Sequence, residues 1–165
     1  MTLHSIAAWI AYRWKARGRH GTHSPFVYEL VEDVIEGRAT YASATIDPLP
    51  GSRYAHLLQR IAAWRHYNSV LRVEAYELFE GTFDVLVLPD AKDCTTQLVQ
   101  DALYALSDGG MIVIPHIHSK AQASASWRAI CELPQVYMSI DIYGIGLIFN
   151  SPAFREKQHF VLRGK

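Results

Sequence analysis

The sequence predicts an α/β protein whose mostly parallel sheet ends in an antiparallel hairpin. Two nearly continuous apolar runs, residues 83–88 and 111–114, enclose a helical pattern. Runs of this kind are typical of parallel strands covered by helices on both faces. Two further runs, residues 136–142 and 147–149, are separated by only a few residues. Because a parallel crossover needs a dozen or more residues, this last pair must be antiparallel.

Two helices are predicted in the first 37 residues. In the first, apolar residues from Leu3 onward recur at helical spacing, and Gly18 ends the pattern. The second begins at Ser24-Pro25, an N-cap followed by a proline in the first helical position, and Gly37 ends it. Residues 38–50 carry two prolines and read as a loop.

The remaining elements follow from the same patterns, and nothing in the composition marks a second domain. We therefore expect one domain over residues 1–165, with the N-terminal helices and loop in 1–50 and the α/β core in 51–165. The core elements not yet named are a third helix capped by Ser52, a strand at 70–73, helices at 94–106 and 120–133, and a last strand at 159–162.

Composition excludes several classes of protein. Half of the 165 residues are hydrophobic, and 16 basic residues balance 16 acidic ones, which argues against a disordered chain and a nucleic-acid wrapper. The apolar stretch at 6–12 is far shorter than the roughly 20 residues of a spanning helix, so no membrane partner is expected. Cys94 and Cys131 cannot form a disulfide framework, which favours a reducing cytoplasm.

The block Arg19-His-Gly-Thr-His-Ser-Pro-Phe26 precedes and opens the second predicted helix. It resembles the N-terminal block of a bacterial, Bacteroidetes-type family of class I S-adenosylmethionine-dependent methyltransferases, and it is the most specific of several similar blocks. The resemblance implies a Rossmann-like fold, and it assigns residues 83–88 to the fourth strand of that fold and 110–119 to the fifth strand with its loop. Residues 136–149 then resemble the closing hairpin, and 157–163 the tail.

The part of that family's fold that binds the cofactor is missing from this chain. The resemblance implies a first strand that ends in a loop with paired glycines, where a Cβ would collide with the ligand. Here the strand at 70–73 is followed by Glu74 and no paired glycines, and only about ten residues precede the strand at 83–88. One βαβ unit alone takes about 30 residues. We therefore expect a reduced Rossmann-like sheet and no bound cofactor.

The family's catalytic acids are also altered. The acid that closes its fourth strand aligns with Pro89, and its pair of aspartates after the fifth strand aligns with Pro115-His116. Proline has no charge and no donor, so the family's roles cannot be transferred to it. The catalytic candidates that remain are Asp90, His116 and His118.

Histidines offer the one candidate for a metal site. His20 and His23 precede the second helix, and His116 and His118 follow the strand at 111–114. Four imidazoles would suit a transition metal if the fold brings the two pairs together. The alternative is that they are loop histidines held by hydrogen bonds, since neither pair has the i, i+4 spacing of a zinc-protease helix.

These losses predict a methyltransferase-like protein without cofactor binding or catalysis, acting as a protein-binding or structural module. The alternative is a methyltransferase or other small-ligand enzyme with a remodelled, histidine-containing pocket. The deletion also leaves an apolar strand, 70–73 or 83–88, at the edge of the sheet. An exposed edge favours pairing with a second copy, so a homodimer or a protein partner is expected unless the N-terminal helices cover it.

Overall fold

The structure is a computed structural model that describes residues 24–37, 40–41, 46–74 and 79–162. In these residues a six-stranded sheet carries helices on both faces, which confirms the predicted α/β class. The first predicted helix lies outside the described residues. No helix in the described ranges is both long and apolar enough to cross a membrane.

Helices come first, helices and strands alternate in the middle of the chain, and strands come last. In order they are α1 (Pro25–Glu29), the π-helix π1 (Leu30–Ile35), α2 (Ala55–Arg65), β1 (Val70–Arg72), β2 (Phe83–Val87), α3 (Thr96–Tyr104), β3 (Leu106–Pro115), α4 (Ala121–Cys131), β4 (Met138–Asp141), β5 (Ile145–Phe149) and β6 (Gln158–Val161).

Helix starts follow the sequence signals with two differences. Ser24 is the N-cap of α1 and Pro25 its first residue, but the Ser24 side chain makes no capping hydrogen bond. Helix α2 begins at Ala55, later than the predicted cap at Ser52. The Ser52 hydroxyl instead accepts a hydrogen bond from the Tyr54 N–H at 3.2 Å, so it stabilises the turn before the helix.

The strand order is β1-β2-β3-β5-β4-β6. Strands β1, β2 and β3 are parallel, β5 is antiparallel to both β3 and β4, and β6 is parallel to β4. The β4–β5 hairpin is therefore antiparallel as predicted. The hairpin does not finish the described sheet as predicted, because β6 pairs with the outer side of β4.

The start of β3 also differs from the prediction. Helix α3 ends at Tyr104, before the predicted end at residue 106, and β3 begins at Leu106, so Gly109 and Gly110 lie inside the strand. The register against β2 changes between Phe83↔Leu106 and Val85↔Met111, so β3 bulges. Gly110 permits this close approach, since a Cβ there would lie 2.9 Å from the carbonyl oxygen of Asp84.

Two apolar cores lie on opposite faces of the sheet. The first joins α1, π1 and α2 to one set of strand side chains, and the second joins α3 and α4 to the other set. Alternating residues of β3 show the division, because Met111 and Val113 belong to the first core and Ile112 and Ile114 to the second. This alternation is the period of a strand that is buried on both faces.

β1 is the outermost strand on one side of the described sheet, which decides between the two predicted edges. The strand at 83–87 lies between β1 and β3 and is interior. Residues 73–82 alone connect the parallel neighbours β1 and β2. Near the outer edge, the Arg72 Nε donates to the carbonyl oxygen of Pro48 at 3.0 Å, which holds the loop before α2 against β1.

Candidate functional site

Polar side chains gather where the parallel strands end. Strands β1, β2, β3 and β4 run in one direction, so their carboxyl ends share one edge of the sheet. Asp90 follows β2, His116 and His118 follow β3, Asp141 ends β4, and Tyr143 lies between β4 and β5. In open α/β sheets ligands bind outside this edge. We refer to these five residues as the carboxyl-edge cluster.

Asp90 and His116 form the exposed half of the cluster. The His116 Nδ1 lies 2.8 Å from the Asp90 Oδ1, and the two side chains are 63% and 40% exposed. The His116 backbone is held in the left-handed region, with φ +58°, and its N–H donates to the Gly144 carbonyl oxygen at 2.7 Å. Water screens this pair, so it contributes little to the stability of the fold.

Asp141 and His118 form the shielded half. The His118 Nε2 lies 2.7 Å from the Asp141 Oδ2, with side chains only 17% and 7% exposed. The other carboxylate oxygen, Oδ1, accepts a hydrogen bond from the Tyr143 N–H at 2.8 Å. On its far side, the His118 Nδ1 lies 3.1 Å from the Ser124 hydroxyl. Both oxygens of the buried carboxylate thus have partners, which offsets the cost of removing the charge from water.

Two tyrosines lie near the histidines: Tyr143, which belongs to the cluster, and Tyr54, which contacts the loop between β4 and β5. The Tyr143 ring lies 5.6 Å from the His118 ring, centroid to centroid, and its backbone is left-handed with φ +57°. The Tyr54 hydroxyl accepts a hydrogen bond from the Gly144 N–H at 3.0 Å. Burial raises the pKa of both phenols, while the positive charge of Arg53 opposes that rise. At neutral pH both are therefore donors as well as acceptors.

Backbone strain is concentrated at this edge. Three described residues other than glycine have positive φ, and two of them are His116 and Tyr143. Such conformations cost about 1–3 kcal/mol each and persist only where the surrounding structure holds them. Here the bond from the His116 N–H to Gly144 connects the two strained segments. An observed strain of this kind is a reason to look for function at the same place.

The three catalytic candidates all lie in the cluster, but they do not form one group. Residues 116–118 form a turn after β3. Each imidazole contacts a different carboxylate, Asp90 or Asp141. The structure therefore brings Asp90 and His116 together and places His118 in a separate pair.

Only two of the four histidines of the predicted metal site lie in the described residues. His20 and His23 lie outside the described residues, so the structure does not place them relative to His116 and His118. Among the residues that are described, no three His, Cys, Asp or Glu side chains are grouped to hold a metal ion. Cys94 and Cys131 are free thiols, and burial raises the pKa of each to about 12. Neither is a reactive thiolate at neutral pH.

Sequence reasoning did not select Asp141, Tyr143 or Ser124 as site residues. Asp141 carried a usable signal, because an ionisable residue that ends a strand with buried Met138 and Ile140 needs a partner. Ser124 carried none, since a serine on a helix is ordinary. Its position beside His118 depends on how α4 packs against the loop after β3.

Comparison of the chain with protein-family models, with curated proteins and with solved structures found no match.

Proposed function

We propose that this protein is a reduced relative of the class I S-adenosylmethionine-dependent methyltransferases that acts as a protein-binding or structural module without cofactor binding or methyl transfer. The observation that carries this proposal is the connection between β1 and β2. These strands are parallel neighbours, yet only residues 73–82 join them. A methyltransferase of this class places two further strands and their helices in that connection, and one βαβ unit alone takes about 30 residues.

The order of the strands supports the same proposal. The resemblance equates β1, β2 and β3 with the family's first, fourth and fifth strands, and the β4–β5 hairpin with its closing strands. The observed order and directions agree with that assignment. In the complete fold two strands lie outside the first, whereas here β1 is the outermost strand of the described sheet.

The residues at the carboxyl edge also favour loss of methyl transfer. Pro115, where the family has an acid, is the last residue of β3 and offers neither charge nor N–H to a ligand. His116 and Asp90 are directed at each other, and so are His118 and Asp141. The link after β1 contains a single glycine, Gly81, so no pair of glycines lets a cofactor approach the backbone there.

Isothermal calorimetry with S-adenosylmethionine on the purified chain tests this function. We expect no heat of binding at physiological concentrations of the cofactor. A dissociation constant in the low micromolar range, equivalent to about −8 kcal/mol, would contradict the proposal. S-adenosylhomocysteine, titrated in parallel, detects a site that prefers the reaction product.

A second candidate function is a small-ligand enzyme with a remodelled pocket around the histidines. The two imidazole–carboxylate pairs favour it, because an imidazole oriented by a carboxylate is a common general base. A metal-dependent form predicts stoichiometric zinc or nickel in protein purified without a metal-affinity tag. That metal would be lost in His116→Ala or His118→Ala, whereas a metal-free preparation would exclude the metal-dependent form.

The proposed module is cytoplasmic and forms a homodimer. Two free cysteines fit a reducing compartment. In the described sheet β1 is the outermost strand, and its outer edge carries backbone donors and acceptors that could pair with another strand. With 16 basic and 16 acidic residues, net charge provides little repulsion between two copies.

A further inference from the structure

Asp141, His118 and Ser124 form one continuous row of hydrogen-bonding groups. The distances are 2.7 Å from the Asp141 Oδ2 to the His118 Nε2 and 3.1 Å from the His118 Nδ1 to the Ser124 Oγ. The three residues come from β4, from the turn after β3 and from α4. A hydroxyl within reach of a base that a third group orients is the arrangement of an activated nucleophile. Such a triad is recognised by geometry and not by order along the chain.

The contact with Asp141 determines which nitrogen of His118 carries the proton when the imidazole is neutral. An ionised carboxylate only accepts, so the Asp141 Oδ2 requires a proton on Nε2. The Nδ1 then holds a lone pair and faces the Ser124 hydroxyl. The carbonyl oxygen of Ile117 is a competing acceptor for the hydroxyl proton, but at 3.3 Å it is farther away than Nδ1.

Burial and helix position suit these roles. The Asp141 side chain is nearly buried, the His118 ring is 17% exposed, and Ser124 is partly exposed. Ser124 follows the first turn of α4, and side chains of a helix lean toward its N-terminus. The first-turn N–H groups lack partners within the helix, and Lys120 at the N-cap provides no side-chain cap. These donors and the helix dipole favour negative charge near the hydroxyl.

We propose that Ser124 is a nucleophile for acyl transfer from small carboxylic esters, with His118 as general base and Asp141 as its positioning residue. The Ser124 Oγ bonds to the ester carbon while the His118 Nδ1 takes the hydroxyl proton. The carbon–alkoxy bond then breaks, and the leaving alcohol takes the proton from Nδ1. Water attacks the acyl-serine, its proton passes through Nδ1 to the Ser124 Oγ, and a carboxylic acid leaves. This inference rests on the second candidate function and is independent of S-adenosylmethionine binding.

A fluorophosphonate probe tests the nucleophile on the full chain. Attack by the hydroxyl on phosphorus expels fluoride and leaves a stable adduct that intact-mass and peptide mass spectrometry locate. We expect one adduct, on Ser124, which is absent in Ser124→Ala and retained in Ser126→Ala, a control on the same helix. A wild-type chain without an adduct, or an equal adduct on Ser124→Ala, would overturn the proposal whatever the calorimetry shows.

Cysteine substitution tests the base separately. We expect iodoacetamide to alkylate the Ser124→Cys variant at pH 7 about tenfold faster or more than the Ser126→Cys variant, because a neighbouring imidazole promotes the thiolate. Adding His118→Gln or Asp141→Asn should remove this advantage. The native Cys94 and Cys131 contribute little background, since burial raises the pKa of each thiol to about 12. Equal alkylation rates in the two serine variants would contradict the role of His118, and thermal melting confirms that each variant is folded.

Discussion

At the scale of single residues, Gly146 shows how a missing side chain shapes the second core. A Cβ at this position of β5 would lie 2.6 Å from two ring carbons of Trp127, which real contacts do not reach. Trp127 is only 2% exposed and packs on the same face as Ile130 and Ile148. The indole therefore approaches the strand this closely because residue 146 is glycine.

Replacing Gly146 by alanine is expected to destabilise the protein. The added methyl must displace a buried ring, and overpacking of this kind typically costs about 1–3 kcal/mol in the free energy of unfolding. Urea denaturation measures the loss. In a Trp127→Phe background the smaller ring leaves room, so the penalty of Gly146→Ala should shrink. An equal penalty in both backgrounds would show that the ring contact is not its cause.

At the scale of elements, Asp84 joins the start of β2 to two neighbouring segments. Its Oδ2 accepts hydrogen bonds from the backbone N–H groups of Asn68 and Ser69, at 2.9 and 3.1 Å, and from the Ser69 hydroxyl. Its Oδ1 accepts from the Ser107 hydroxyl in the bulge of β3, at 2.9 Å. Burial alone would raise the pKa of Asp84, but these donors favour the charged form more strongly and the pKa is lowered overall.

This lowered pKa predicts an acid-sensitive contribution to stability. In the unfolded chain an aspartate takes up its proton near pH 4, whereas folded Asp84 keeps its charge to lower pH. The contribution is therefore complete above about pH 4 and is lost as the pH falls through the folded pKa. Asp84→Asn should lower the free energy of unfolding at pH 7 by about 1–2 kcal/mol, because the hydrogen bonds to a charged acceptor are lost.

Urea titrations at pH 7 and pH 3 separate this effect from general acid sensitivity. Asp84→Asn should lose less stability than the wild type between the two pH values. Asp93→Asn is the control, since that carboxylate is 58% exposed and is bonded to Lys92 next to it in the chain. If Asp84→Asn and the wild type lost the same amount, the proposed linkage would be wrong.

At the scale of the whole molecule, the outer edge of β1 is the surface through which the proposed homodimer would form. The Val73 N–H donates to the carbonyl oxygen of Val87, and the Ser69 carbonyl oxygen accepts from the Val85 N–H. In a parallel ladder the odd-numbered residues of β1 therefore face β2. Val70 and Arg72 direct their backbone groups outward, away from β2.

Val70→Pro is expected to dissociate the proposed homodimer. Proline removes an outward N–H and leaves the bonds to β2 in place, and it is tolerated at the first residue of an edge strand. Light scattering should give twice the 18.6 kDa chain mass for the wild type and the single mass for Val70→Pro. Val70→Ala is the matched control, because it keeps the N–H and should remain dimeric.

Two results would contradict this assembly. A wild-type mass of 18.6 kDa at all concentrations would exclude the homodimer. A Val70→Pro variant that stays at twice that mass would show that the interface lies on another surface, such as the opposite edge at β6.

Local patterns in the sequence determined the class of the fold and most of its elements. Nearly continuous apolar runs identify β2 and the second half of β3, because a strand buried on both faces has few polar positions. Ser24-Pro25 located the start of α1 because a proline in the first helical position lacks only an N–H that the helix leaves unpaired there. The link between β4 and β5 is too short for a parallel crossover, so its length alone determined that the two strands are antiparallel.

Tertiary structure decided what depends on residues far apart in the chain. Strand order is such a property. No local pattern indicates that β5 lies between β3 and β4, or that β6 pairs with the outer side of β4. The bulge at Gly110 is defined by the register of β3 against β2, so it depends on the neighbouring strand. The pairing of His118 with Asp141 spans 23 positions, and the contact with Ser124 needs α4 packed against the turn after β3. Periodicity reports which side of an element is buried, but only packing brings a given base to a given hydroxyl.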